Sequence, residues 1–187
     1  MDLSEAITKR RSIRRFTSRR VSDKVVLGAL DVALRAPSAG NVQDKEFIII
    51  RDVEQKKSLV SAVFDQVWVA RAPVILVLIS DVNKLRFKFK ERSELYATIG
   101  AGTALQNILL YLTSKGLAGT HVGLFDELAI KRVLGIPDDK RVFSVLVLGY
   151  PAEKPPVPYN ADLKQITFLE SYGTTWVKHK FRKTFLE

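Results

Sequence analysis

The sequence predicts an α+β or mixed α/β domain, and three observations carry that expectation. Three short runs rich in β-branched residues, Phe47 to Ile50, Val74 to Ile79 and Val142 to Leu148, hardly alternate with polar residues, so they read as strands buried on both faces. Between them lie segments whose apolar residues recur at helical spacing. No internal repeat, low-complexity stretch or shift in composition divides the 187 residues, a length that fits one ordinary domain.

Leu3, Ala6 and Ile7 predict a short first helix, which feeds the basic stretch Lys9 to Arg20. Ser22 is placed to cap a helix whose stripe is Val25, Val26, Ala29, Leu30, Ala33 and Leu34, and Pro37 marks its end. The loop Ala36 to Gln43 then leads into the first apolar run. The longest helix is predicted from about Glu91 to Lys115, with Leu95, Ile99, Leu105, Ile108, Leu109 and Leu112 on its apolar side and Gly116 at its stop. Small residues from Gly100 to Ala104 weaken it, by about 1 kcal/mol for each glycine relative to alanine. Close packing against another helix or a partner subunit would compensate. Asp126 can cap a short helix reaching Leu134, ended by Gly135 and Pro137. Pro151, Pro155, Pro156 and Pro158 predict an extended exit from the last core strand, and Gln165 to Phe168 an edge strand.

An apolar content of 47% is enough to bury a core. No apolar run approaches the roughly 20 residues of a membrane span, and the first residues lack a signal peptide's apolar stretch, so a soluble cytoplasmic protein without membrane partners is expected. With no cysteine, disulfides, a thiolate nucleophile and cysteine-ligated metals are excluded, and His121 and His179 are the only imidazoles; no metal site is expected. Redox chemistry would have to come from a bound organic cofactor. Thirty Lys and Arg against twenty Asp and Glu, a formal charge of +10, favour anionic partners, whether nucleic acid or a phosphorylated cofactor.

Arg10, Arg11, Ser12, Arg14 and Arg15 set guanidinium forks and a hydroxyl side by side, the chemistry that a phosphate monoester needs. The same run could be a solvated charged face, or a nucleic-acid arm working with Lys178, Lys180, Arg182 and Lys183. Ile13 and Phe16 interrupt the charge as if packing into a domain, and no helix-turn-helix, zinc or RNP signature accompanies it, which argues against nucleic acid.

Several landmarks in order resemble the nitroreductase family. Arg10 to Phe16 is similar to its opening R-R-S-x-R motif, and Ala36-Pro37-Ser38-Ala39-Gly40-Asn41-Val42-Gln43 to its A-P-S-x-x-N-x-Q loop. Gln66 to Pro73 resembles the approach to the second strand, Gly102 to Lys115 the central helix, and Gly116 to Asp126 the G-L-G-T segment. Leu134 to Pro137 and Leu148 to Pro151 complete a pattern running from about residue 4 to residue 173.

The resemblance implies a three-layer α-β-α fold with a mostly antiparallel central sheet, one FMN-binding domain over residues 1–187, and a homodimer in which the segment from about residue 152 extends onto the partner. It implies that Arg10, Arg11, Ser12 and Arg14 hold the FMN phosphate and ribityl chain. Pro37, Ser38, Ala39 and Asn41 would line the flavin from the other subunit, and Gln66 would contact it. Read without the family, Asn41 is an ordinary turn residue and Gln66 a surface one. Thr120 to Gly123 match the stretch whose main chain faces flavin N5, with Val122 and Gly123 nearest the reacting atom. His121 stands there as a proton donor or a packing ring, and His179 as plain surface.

The implied activity passes hydride from NADH or NADPH through the flavin to a nitroaromatic, a quinone or a similar small acceptor. Flavin cleavage and reductive dehalogenation are the alternatives within the family, and a basic nucleic-acid-binding module is the alternative outside it. Three departures stand out: Asn160 where the family has an arginine near the phosphate, which shifts weight to the amino-terminal arginines or Lys164; Lys45 in place of an aromatic; and Ala118 in place of a glycine. The stretch Asp81 to Arg92 is too short for a large substrate lid.

Overall fold

The uninterrupted apolar character of the Val74 to Ile79 run has a direct cause: every residue of the strand that it forms is buried. In the computed structural model, which describes residues 1–176, four strands form one sheet in the order β1-β2-β4-β3. They are β1 (Lys45–Ile50), β2 (Val74–Ser80), β3 (Ala118–Val122) and β4 (Arg141–Gly149). All three pairings are antiparallel. Burial on both faces is the usual mark of parallel strands; here β2 and most of β4 have it because helices cover both faces of an antiparallel sheet, whereas β1, expected to be buried alike, is an edge strand that is only part-buried, with Ile49 41% exposed.

On one face α2 (Asp23–Leu34) and α5 (Ser93–Ser114) pack through Ala29, Ala33, Ala104, Ile108 and Leu112 onto Leu76, Leu146 and Leu148. On the other, α6 (Glu127–Leu134) and the turn Ser61–Val63 cover Ile75, Val77, Ile79, Val145 and Val147, with Ile130 and Val63 fully buried. The three expected layers are therefore present. Each fully buried aliphatic side chain contributes about 1.5–3 kcal/mol, so this double cover dominates the fold's stability. A register shift between Leu78 and Ile79 leaves Phe143 as the extra residue of β4, bulged toward Val82, Leu85 and Ala97.

The helix ends follow local chemistry. Ser22 caps α2 by accepting the Val25 N–H at 3.4 Å, and Asp126 caps α6 by accepting the Ala129 N–H at 3.0 Å. Gly135 ends α6 in the left-handed region, φ 64°. The remaining helices of this part of the chain are α1 (Leu3–Lys9), α3 (Val53–Ser58) and α4 (Val82–Phe89). The small residues of α5 serve different ends. Ala104 seats α2, Gly100 leaves room for the Lys45 side chain, and a side chain at Gly102 would meet nothing among the described residues. Val82–Ser114 is long and apolar enough for a membrane span by composition, yet Ala104, Ile108 and Leu112 are packed as in a core helix.

The chain divides into two units, Met1–Lys154 and Pro155–Glu187. In the second, Gln165 and Ile166 belong to α7 (Leu163–Ile166) rather than to the edge strand expected there, because Asp162 caps the turn by accepting the Lys164 N–H at 3.0 Å. Among the described residues of this unit, strand pairing is confined to a bridge between Phe168 and Thr175. His179 and the cluster Lys178, Lys180, Arg182 and Lys183 lie outside the described residues.

Candidate active site

The basic motif begins where α1 stops, the Arg10 N–H reaching the Ala6 carbonyl at 3.0 Å. From there the chain crosses the ends of β3 and β4. Thr120 donates its hydroxyl to the Ile13 carbonyl at 2.6 Å, Phe16 pairs with Pro151, and the Thr17 N–H bonds the Tyr150 carbonyl at 2.9 Å. Ile13 is buried while its neighbours Ser12 and Arg14 are exposed, so an apolar anchor holds the polar groups outward.

A further anchor carries no local signal in the sequence. Glu153 accepts the N–H of Arg14 at 2.6 Å, the N–H of Arg15 at 3.0 Å and Nε of Arg15 at 3.2 Å. The Arg14 N–H, first among these donors, holds the Glu153 carboxyl below the usual carboxylate range. Arg11 is already engaged, donating to the Thr8 and Arg10 carbonyls at 2.7 and 2.8 Å. The side chains of Arg10 and Ser12 have no partner among the described residues, and Arg14 meets only the Trp68 ring, 5.5 Å from its centroid. Two guanidinium groups and a hydroxyl are thus held in place with their donors unspent, a set whose chemistry fits a phosphate monoester.

Gln66 lies beside the end of β3. Its amide donates to the Val63 carbonyl at 2.9 Å and the Leu124 carbonyl at 3.2 Å, and the Asp126 N–H bonds the Ala62 carbonyl at 2.7 Å, so the segment after Val122 is tied down twice. A side chain at Gly123 would meet only the His121 ring, at 3.5 Å. Nothing among the described residues requires glycine there, which leaves the strand end open to close approach from outside. His121 itself faces α5, beside a cavity of about 150 Å³ shared with Ala101, Leu105, Phe143 and Ser144. Burial pushes its imidazole below the ordinary value, against a hydrogen bond with the Phe143 backbone. The residue as a whole remains exposed, and the neutral ring that partial burial favours can pack or accept a proton.

The Pro37 to Asn41 loop stands apart from this group. It leads into β1, at the sheet edge opposite β3, three strand spacings or about 14 Å away. Ser38 Oγ is buried without a hydrogen-bond partner, and Ala39 packs with Val82, Leu85 and Ala97. Asn41 sits in the left-handed region, φ 56°, and its side-chain oxygen accepts from Gln43 at 3.0 Å, which leaves its NH₂ exposed. Lys45, in the position noted for its lack of an aromatic, is buried against Asp44 at 3.3 Å, and Asp44 also takes the Ser80 hydroxyl. The structure thus gathers Arg10, Ser12, Arg14, Gln66 and Thr120 to Gly123 on one side of the chain, and Pro37, Ser38, Ala39 and Asn41 on another.

The model of the nitroreductase family matches residues 7–73 and 65–150, which include both groups. A Thermus thermophilus protein described as an NADH dehydrogenase is 30% identical over 182 residues, covering 82% of this chain and 89% of the relative. A putative NADH dehydrogenase/NAD(P)H nitroreductase from Archaeoglobus fulgidus is 32% identical over 152 residues, covering 79% and 84%. The Vibrio harveyi NADPH-flavin oxidoreductase is 28% identical over 162 residues, covering 82% and 67%. Among solved structures, B. megaterium NfrA2 superposes with a TM-score of 0.84 at 26% identity, covering 92% of this chain and 76% of its own.

Proposed function

The chain belongs to the nitroreductase family and is an NAD(P)H-dependent oxidoreductase, and from that premise we propose that it works as an FMN enzyme reducing a nitroaromatic, a quinone or a similar small acceptor. The observation that carries the flavin is the pinned, unspent donor set of Arg10, Ser12 and Arg14, which would take the phosphate. Arg11 is left to the end of α1. Gln66 and the open main chain of Val122 and Gly123 would face the ring, with Thr120 fixing the Arg10 to Arg14 segment against β3 through the Ile13 carbonyl. When bound, the flavin supplies the chemistry, taking two electrons and a proton from NADH or NADPH as hydride and passing them on to the acceptor. The protein's part is to orient the ring and exclude competing partners.

The second half of the site would come from a second copy of the chain. Ser38 has a buried hydroxyl with no partner among the described residues and Asn41 an exposed NH₂, both at the edge far from Arg14. Leu95 and Ile99 of α5 are each about half exposed, at 49% and 54%, and fall on one stripe with the open Gly102, a face suited to a helix of a partner subunit. In this homodimer the segment from about residue 152 would extend over the partner, and the protein would work in the cytoplasm. The test is a spectrum. The purified protein loaded with FMN should show oxidised-flavin absorbance that bleaches under NADH or NADPH without oxygen; a protein that takes up no FMN overturns the reading.

A further inference from the structure

The basic spur at α4 has no role in the site as described. Residues 84–92 carry Lys84, Arg86, Lys88, Lys90 and Arg92 against the single carboxylate of Glu91. In their midst Phe87 is 97% exposed, a large apolar ring given no packing within the described chain. The spur is nevertheless fixed. Val82 and Leu85 are buried against Ala97, and Phe89 meets Tyr96 edge-on with centroids 4.7 Å apart. Lys84 and Lys88 reach across to the carbonyls of Gln43 and Gly40 at 3.3 and 3.4 Å, which joins the spur to the Ser38 to Gln43 loop.

We propose that this spur binds the adenosine 2′-phosphate of NADPH and makes the enzyme prefer NADPH to NADH. The inference rests on the reading of the Ser38 to Gln43 loop as a wall of the flavin site. A purine has a flat π-face that stacks on an exposed aromatic ring, and Phe87 offers one with cations on both sides. A 2′-phosphate dianion requires charge-assisted donors, and two are at hand. The Arg86 guanidinium makes a single neutral hydrogen bond, to Asn83 at 3.1 Å, and the Lys90 ammonium has no partner among the described residues. NADH shares the adenine and the pyrophosphate but has a plain 2′-hydroxyl, so these two cations discriminate between the donors while Phe87 serves both.

The experiment is calorimetric titration of the FMN-loaded protein with adenosine 2′,5′-bisphosphate and, separately, with 5′-AMP, alongside steady-state kinetics with each donor. The wild type should bind the bisphosphate more tightly than 5′-AMP. Arg86→Ala combined with Lys90→Ala should weaken the bisphosphate about tenfold to a hundredfold and leave 5′-AMP unchanged. Phe87→Ala should weaken both nucleotides. The ratio of kcat/KM for NADPH over NADH should fall with the loss of the two cations. Equal binding of the two nucleotides by the wild type, or an equal loss for both in the double variant, overturns the proposal. Should neither donor reduce the flavin, the proposed function fails, while the two titrations still decide for or against the spur.

Discussion

The Glu153 carboxylate accepts the Arg14 backbone N–H at 2.6 Å, and through that bond the segment that follows β4 sets where the Arg14 side chain begins. Glu153→Ala should free the main chain at Arg14 and Arg15 and weaken FMN about tenfold or more, the cost of losing charge-assisted hydrogen bonds. Glu153→Gln, which keeps one acceptor oxygen, should lose less. Riboflavin has no phosphate and should bind all three proteins alike. Equal losses for FMN and riboflavin would instead mark general unfolding of the site.

Arg10→Ala and Arg14→Ala should each weaken FMN about tenfold to a hundredfold, because each removes an unspent guanidinium from the proposed phosphate site. Arg11→Ala should behave differently, since its guanidinium serves the Thr8 and Arg10 carbonyls. Its expected signature is lower thermal stability with near-normal FMN affinity. An FMN titration in which Arg11→Ala fails as badly as Arg14→Ala would show that Arg11 leaves α1 to meet the phosphate.

These contrasts mark what was legible in the sequence. Caps and stops were, because the Ser22, Asp126 and Gly135 signals act within a few residues of themselves. The three apolar runs are legible as strands, in β2 and most of β4 because continuous burial leaves no alternation to misread; the edge position of β1, which leaves Ile49 41% exposed, is not legible, since its isoleucines look the same as those of a central strand. β3 is not legible as a strand: its Gly119 has poor strand propensity and is there because a Cβ would press on the Val147 carbonyl oxygen, Leu109 and Leu112, each at 3.2 Å. Glu153 was invisible for a different reason. Its partner Arg14 lies 139 residues away, and a lone glutamate between prolines carries no local signal. The engagement of Arg11 was equally hidden, for a motif gives residue types and not the carbonyls that they already serve.

The lowered pKa of His121 makes a stability prediction with a definite sign. Its folded value lies below the ordinary 6.5, chiefly through burial, so the unfolded chain takes a proton first as pH falls. The contribution of a neutral His121 is fully present above about pH 6.5 and is lost as pH drops from there toward the folded value. His121→Phe should remove this part of the pH dependence. Urea unfolding of both proteins at pH 7.5 and pH 5.5 checks it; identical slopes with pH would rule out His121 as the titrating group.

The opposite-edge placement of Arg14 and Asn41 leads to a test of the shared site. If the phosphate donors of one subunit meet the Asn41 loop of the other, Arg14→Ala and Asn41→Ala homodimers each carry two damaged sites. A mixed dimer gathers both lesions in one site and leaves its other site wild type. Random reassortment of equal amounts makes half of the dimers mixed, so about a quarter of all sites should become intact. NAD(P)H oxidation should rise to that level when the two variants are unfolded and refolded together, and should stay low when they are refolded apart. Residues acting within one chain give another result: every site keeps one lesion whatever its partner, and mixing restores nothing. Exchange of differently tagged subunits without any recovery of activity would therefore place Arg14 and Asn41 in the same chain's site, against the edge-to-edge separation that the sheet order imposes within one chain.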